Sequence, residues 1–447
     1  MKRPLIWALS TALLGACQTA VRHAPDHVAD AASAAALRRP DALARYLEAA
    51  AATNAASHGE WPQRAQRLAF AEAALGLYNE AVRHFPLTER ADAPPDLPTS
   101  ASHRTEPAAD VVARLAETRR LVLVNEAHHD VATRRLTLSL LPRLRALGFS
   151  HFAVESLDPG DTGLQRRGHA LESSGFYVDE AVFGEIIREA LRLGFVPVAY
   201  EHRGADRSMA ARERGQAEAL ARVLASDPAA RVFVHAGYAH IDKGPGRLGN
   251  AEPMAAVLAA LTGITPLSID QTVLRSSGAG RESALATALI DAFSPIEPVA
   301  LVALVARNGD QAWSARAQWH DVSVLLPRPG LDEGRPTWLD LDGARQAWPI
   351  DAGLCAGIIP CSVSAHRAGE PDAAVVADRY AFMEPAARSM LYLRPGRYRL
   401  VARDAAGVAL AAPRSIEVRR TRDIGIDRDA GRALPSPAST PFPRRDP

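Results

Sequence analysis

Lysine is nearly missing from this chain. Lys2 and Lys243 are the only two, and the rest of its 52 basic residues are arginine. With alanine so abundant, this imbalance reads as the codon bias of a GC-rich genome before it reads as an arginine-built binding surface. Neither sign of charge dominates, because 52 basic residues face 51 acidic ones for a formal net charge of +1. That excludes a strong global field of the kind that holds nucleic acid or an anionic membrane. Cysteine is scarce: there are three, and they form no zinc-type cluster. There is no Gly-rich phosphate loop, no nucleophilic-serine elbow and no dinucleotide fingerprint, so nucleotide-hydrolysing, serine-hydrolase and NAD-dependent readings lack support. Tandem repeats are absent as well. What is present is globular in character. The 447 residues are 47% hydrophobic and 23% charged, which excludes a mainly disordered chain and allows two or three domains.

The first residues read as an export signal. Lys2 and Arg3 precede an apolar stretch, Leu5 to Ala16, that is too short to span a bilayer. No other segment could span one. Leu14-Gly15-Ala16-Cys17 resembles the bacterial lipobox, in which the cysteine receives acyl chains such as palmitate and becomes the first mature residue. The resemblance implies a signal peptide over 1–17, lipidation of Cys17 and a membrane anchor. Gln18, in place of Asp after the cysteine, implies sorting to the outer membrane, facing the periplasm. Export to an oxidising compartment lets Cys355 and Cys361 close a small disulfide loop.

Residues 18–106 read as a tether, a helical hairpin and a Pro-rich linker. Leu68, Leu75 and Val82 recur every seven residues, with Tyr78 and Phe85 on the same stripe. The span 107–350 reads as an α/β core. Short apolar runs at Leu121–Asn125, His151–Ser156, Val196–Tyr200, Arg231–Ala236 and Pro266–Ile269 alternate with helical stretches, which predicts a mostly parallel sheet flanked by helices. Pro298–Ala306 and Asp321–Leu326 add edge strands, antiparallel to each other. Residues 351–425 carry the alternation and turns of a small β-sandwich-like domain, and 426–447 read as a disordered tail.

In parallel sheets ligands bind beyond the carboxyl ends of the strands. Five successive apolar runs end there in ionisable residues: Glu126-Ala127-His128-His129, Glu155, Glu201-His202, His235 to His240, and Asp270. Burying charge is unfavourable unless it is paired, so this recurrence points to a site. Gly237 lies between His235 and His240 and can bend the chain to bring both inward.

Taken in order, these motifs resemble the superfamily of erythromycin-esterase-like hydrolases, ChaN-like haem-uptake lipoproteins and Tiki/TraB-type proteins. The resemblance covers about residues 115–275. It rests on Glu126 to His129, Gly148-Phe149, Ala153-Val154-Glu155, Phe195 to Glu201, Arg212-Glu213-Arg214-Gly215-Gln216-Ala217 and Val234 to His240. The family carries Gly before its first glutamate, where this chain has Asn125. The esterases place a histidine three residues after that glutamate, here His129, whereas the ChaN and Tiki types place it two after, here His128.

The resemblance to the esterases implies a hydrolase acting on an ester or lactone. His129 is then the general base, oriented by Glu126 or Glu155, and His235 or His240 together with Arg212 stabilise developing charge. That reading requires no cofactor. A metal version places a divalent ion on Glu126, His128 and His240. The ChaN resemblance implies instead a haem- or metal-binding lipoprotein, with Tyr238, His235 or the adjacent histidines such as His128 on the iron. A third reading is a non-catalytic scaffold of the cell envelope. The expected partners are a small-molecule substrate or haem, with no nucleic acid.

Overall fold

The computed structural model describes residues 41–86, 97–275, 283–294 and 300–420. The signal peptide, Cys17, the tether up to residue 40 and the tail 426–447 lie outside the described residues. So does part of the Pro-rich linker. No helix among the described residues is long and apolar enough to cross a membrane.

The described chain opens with α1 (Ala42–Asn54), α2 (Trp61–Ala74) and α3 (Tyr78–His84). Asp41 caps α1 by accepting from the Leu43 amide. Pro62 sits in the first turn of α2, where its missing N–H has no helical partner to lose. The heptad stripe Leu68, Leu75 and Val82 is buried throughout. Gly76, at φ 77°, makes the turn into α3, a backbone conformation that glycine adopts without strain.

The main sheet holds β1 (His103–Pro107), β2 (Leu121–Glu126), β3 (His151–Val154), β4 (Val196–Ala199), β5 (Val232–Gly237), β6 (Leu267–Asp270), β7 (Val302–Ala306) and β8 (Val322–Leu325). Its order is β1-β7-β8-β6-β2-β5-β3-β4. From β8 to β4 every pairing is parallel, while β7 runs antiparallel to β8 and β1 antiparallel to β7. The α/β class and the antiparallel edge pair follow the sequence expectation. His103–Pro107 does not. Expected as the end of a linker, it pairs residue for residue with Ala306–Val302 and closes one edge of the sheet. Its alternating, half-exposed side chains carry no apolar run that would mark it as a strand.

Helices cover both faces. Along β2, Val122 and Val124 pack on one face with α4 (Ala108–Ala116), α5 (Arg135–Ala146) and, beyond the short α6 (Leu164–Arg167), α7 (Ala181–Arg192). Leu121 and Leu123 pack on the other with α8 (Met209–Ser226) and α9 (Met254–Thr262). A strand buried on both sides reads as a continuous apolar run, as β2 does. A further helix, α10 (Ala284–Ala292), packs its Leu285 and Leu289 beside β7 and β8.

After β9 (Leu331–Asp332) and β10 (Arg335–Pro336) come β11 (Gln346–Asp351), β12 (Cys361–Arg367), β13 (Asp378–Phe382), β14 (Arg388–Leu393), β15 (Gly396–Arg403) and β16 (Arg414–Val418). They form two small antiparallel sheets, β11-β14 and β13-β12-β15-β16, around a core that includes Val363, Phe382, Leu391, Tyr398 and Ile416. Cys355 and Cys361 are joined as a disulfide at the start of β12, with Cα atoms 6.0 Å apart.

Candidate active site

Strand parity decides where the ionisable side chains go, because successive residues of a strand face opposite sides of the sheet. Glu126 follows Val122 and Val124 onto the α5/α7 face. Glu155 follows Ala153 onto the α8/α9 face. The single polar edge read from the sequence is therefore two clusters, back to back across Gly237 at the end of β5.

The first cluster centres on Glu126, which is 1% exposed. Its Oε1 is 2.7 Å from Nδ1 of His128, and its Oε2 receives Nε of Arg134 at 2.5 Å. Nε2 of His235 lies 3.4 Å from the same Oε2, and Nδ1 of His235 is 2.9 Å from Thr137 Oγ1 on α5. Arg134 sends Nη1 to Glu180 Oε2 at 2.7 Å. Burial alone would raise the Glu126 pKa. The Arg134 charge and the bonds from His128 and His235 outweigh it and hold the carboxyl well below its usual range.

The second cluster joins Glu155, Arg212, Glu201, His240 and Glu213. Arg212 reaches Glu155 Oε1 at 2.5 Å and Glu201 Oε2 at 2.7 Å. His240 stands between Glu213 Oε1 at 2.6 Å on Nδ1 and Glu155 Oε1 at 3.3 Å on Nε2. Burial opposes its charge and so does Arg212, whose Nη1 lies 3.1 Å from His240 Nε2, but Glu213 and Glu155 raise its pKa well above the usual value. Glu155 is held well below its usual range, burial again being outweighed, by His240 and Arg212.

Gly237 is where the clusters meet. Its amide donates to Glu155 Oε2 at 2.5 Å. A β-carbon there would stand 2.5 Å from His128 Nε2 and 3.3 Å from Glu155 Oε2. Glycine at this place lets an imidazole and a carboxylate share one stretch of backbone.

His129 is elsewhere. Its Nδ1 is 2.9 Å from the Tyr238 hydroxyl and its Nε2 is 3.2 Å from Arg275. Phe85, just past α3, stacks on it at 3.6 Å with the rings 4° apart. His128 stacks on Tyr177 at 4.3 Å, and Phe70 of α2 meets both rings edge-on. Tyr238 holds φ 41° and Tyr177 φ 55°, a sparsely populated region for such residues and one that clusters at functional sites.

The expected site residues fall in different places. Glu126 faces His128, while His129 faces Tyr238 and Arg275. The proposed metal ligands Glu126, His128 and His240 are not gathered: no three His, Cys, Asp or Glu side chains among the described residues are placed to hold an ion. Of the residues expected to hold haem, His128 stacks on Tyr177 and the Tyr238 hydroxyl meets His129 Nδ1. Arg212 and His240 lie together, Nη1 to Nε2 at 3.1 Å, and both face carboxylates.

Asn125, on the β2 face opposite Glu126, cross-links the sheet edge. Its amide donates to Asp270 Oδ1 at 2.7 Å and to the Tyr238 carbonyl at 2.9 Å, and its Oδ1 accepts from the Gln271 amide at 2.7 Å. Glycine could make none of these bonds through a side chain. Arg134, Thr137 and Glu180 were not singled out from the sequence. Glu180 caps α7 by accepting from the Val182 and Phe183 amides, and nothing in its local pattern separates it from an ordinary cap.

No protein-family model and no curated protein matches this chain. Among solved structures, the chain is similar to the type III effector HopBA1, at 18% identity over 41% of this chain and 90% of that one. The TM-score is 0.30, too low to carry an argument about either molecule.

Proposed function

We propose that this chain is a hydrolase cleaving an ester or lactone with water activated by His128. The observation that carries the reading is the 2.7 Å contact between His128 Nδ1 and Glu126 Oε1, with both side chains 2% exposed. An Nδ1–H donated to a buried carboxylate fixes the tautomer and leaves Nε2 as the basic nitrogen. That nitrogen lies over Gly237, next to Glu155. Glu126 is held ionised, so it orients the ring and stabilises the imidazolium formed when Nε2 takes a proton from water. Water then attacks the ester carbon, and the proton passes to the departing alkoxide. Arg212 and His240 are tied to Glu155, whose Oε2 lies beside the same glycine.

The lipobox and the Cys355–Cys361 disulfide support an exported, lipid-anchored protein, since disulfides persist in oxidising compartments.

The test is a panel of esters and lactones hydrolysed in H2(18)O by the soluble form beginning at Gln18. Label in the carboxyl group of the product supports acyl–oxygen cleavage by water. No turnover across the panel removes the reading. A stoichiometric Soret shift on adding haem, lost in Tyr238→Phe, replaces it with the haem-binding one.

A further inference from the structure

The α1–α3 hairpin reaches the first cluster through the Phe70 ring, which meets His128 edge-on, and through the Tyr78 phenol. Tyr78 donates its hydroxyl to Glu180 Oε1 at 2.7 Å, while Glu180 Oε2 takes Arg134 Nη1 at 2.7 Å. Arg134 in turn holds Glu126, and Glu126 holds His128. Every side chain in this series is buried. The phenol is itself fixed from behind. Its ring lies 5.5 Å from Trp338 and 5.3 Å under the guanidinium of Arg335. Arg335 is anchored by two 2.8 Å bonds to Asp378 of β13 and also donates to the carbonyls of Gly76 and Arg379. A β-carbon on Gly76 would stand 2.0 Å from the Arg379 carbonyl, so the hairpin turn is seated directly on the C-terminal module.

We infer that Tyr78 is a positioning residue of the Glu126–His128 pair, and that the hairpin and the C-terminal module are working parts of the site. This rests on the hydrolase reading only for its rate effects. Arg134 divides one positive charge between two carboxylates. The Tyr78 hydroxyl takes up part of the negative charge of Glu180 and so leaves more of Arg134 to Glu126. Without that hydroxyl, Glu180 draws Arg134 harder and Glu126 is less compensated. A less compensated Glu126 favours the imidazolium form of His128.

The test is Tyr78→Phe in the full soluble chain, with Tyr392→Phe as control. Tyr392 packs in the same apolar cluster as Tyr78 and Trp338. Tyr78→Phe keeps the ring against Trp338 and removes one oxygen, so the fold is expected to survive. Imidazole NMR of His128 gives a readout independent of turnover. The expected results are a His128 titration moved to higher pH and an acidic limb of kcat moved the same way. A fall in kcat of about two- to tenfold, the worth of one hydrogen bond, accompanies them with KM unchanged. Tyr392→Phe leaves all three in place. A folded Tyr78→Phe with unaltered His128 titration overturns the inference, whatever the turnover. Absence of wild-type turnover overturns the hydrolase reading and leaves the NMR arm to decide this one.

Discussion

Nε2 of His128 stands 2.5 Å from the point where a side chain on Gly237 would begin. Real β-carbons do not come so close to another heavy atom, so Gly237→Ala must displace the imidazole, the strand end or both. Gly237 is paired with Glu126 of β2, so displacement of the imidazole is the expected response. A shift of about 1 Å at a reacting group costs on the order of 100-fold in rate. Gly237→Ala is expected to lose about that much turnover while keeping its circular dichroism spectrum. Turnover near the wild-type level would show that His128 does not work from this place.

Glu126→Gln tests the charge at the centre of the first cluster. The variant keeps the shape but leaves Arg134 with Glu180 alone inside a dry environment. Removing one partner of a buried ion pair typically destabilises by about 3–5 kcal/mol. Denaturant unfolding is expected to show a loss in that range. A loss below about 1 kcal/mol would mean that water reaches the cluster.

Glu72 on α2 gives a pH-dependent prediction. Burial is the main cause and Glu80 adds to it, pushing the Glu72 pKa up from 4.5 to about 8, while Arg83 opposes the shift. The folded state thus holds an extra proton between those values, and stability falls as pH rises through the interval. Glu72→Gln removes this dependence. Its Tm relative to wild type is expected to rise from pH 5 to pH 8.5. His84 Nδ1 faces the same carboxylate at 2.7 Å, so the comparison is repeated with His84→Asn. A constant difference across the range contradicts the assignment.

The Cys355–Cys361 loop is short, so closing it removes modest entropy from the unfolded chain. For a loop of this length the loop-entropy model gives about 2 kcal/mol. Cys355→Ser with Cys361→Ser is expected to lower stability by roughly that amount. The main sheet has its own apolar clusters, distinct from that of the module, so the loss is local. Hydrogen exchange is expected to accelerate in β12 and β15 and to stay unchanged in β2 and β5. Equal acceleration in both places would show that the two cores unfold together.

The parallel strands were legible because their apolar runs are continuous and their ends are ionisable. Leu121–Glu126 and Val232–Gly237 are both buried along their whole length. β1 was not legible, because an edge strand with half-exposed residues has no such run. The groups of the site could be read at the strand ends, but not their division between two faces. That division comes from the parity of Glu126 and Glu155 on their own strands. The choice between His128 and His129 was hidden for a related reason. Past the end of β2 the chain turns, with the Asp130 amide bonded to the Ala127 carbonyl. The periodicity of a strand no longer predicts which ring faces back. Arg134 and Glu180 are hydrogen-bonded to each other across 46 residues of sequence, and pairing over such a distance leaves no local pattern.

The central claim is that His128, oriented by Glu126, is the base. The most direct measurement compares ester and lactone turnover in His128→Ala and His129→Ala, both checked for folding. General-base catalysis contributes about 10²–10⁴-fold, and a loss of that size is expected in His128→Ala. His129→Ala is expected to retain turnover within about tenfold, since that ring serves Tyr238 and Arg275 by hydrogen bonds. A His129→Ala variant that loses turnover while His128→Ala keeps it would contradict the account.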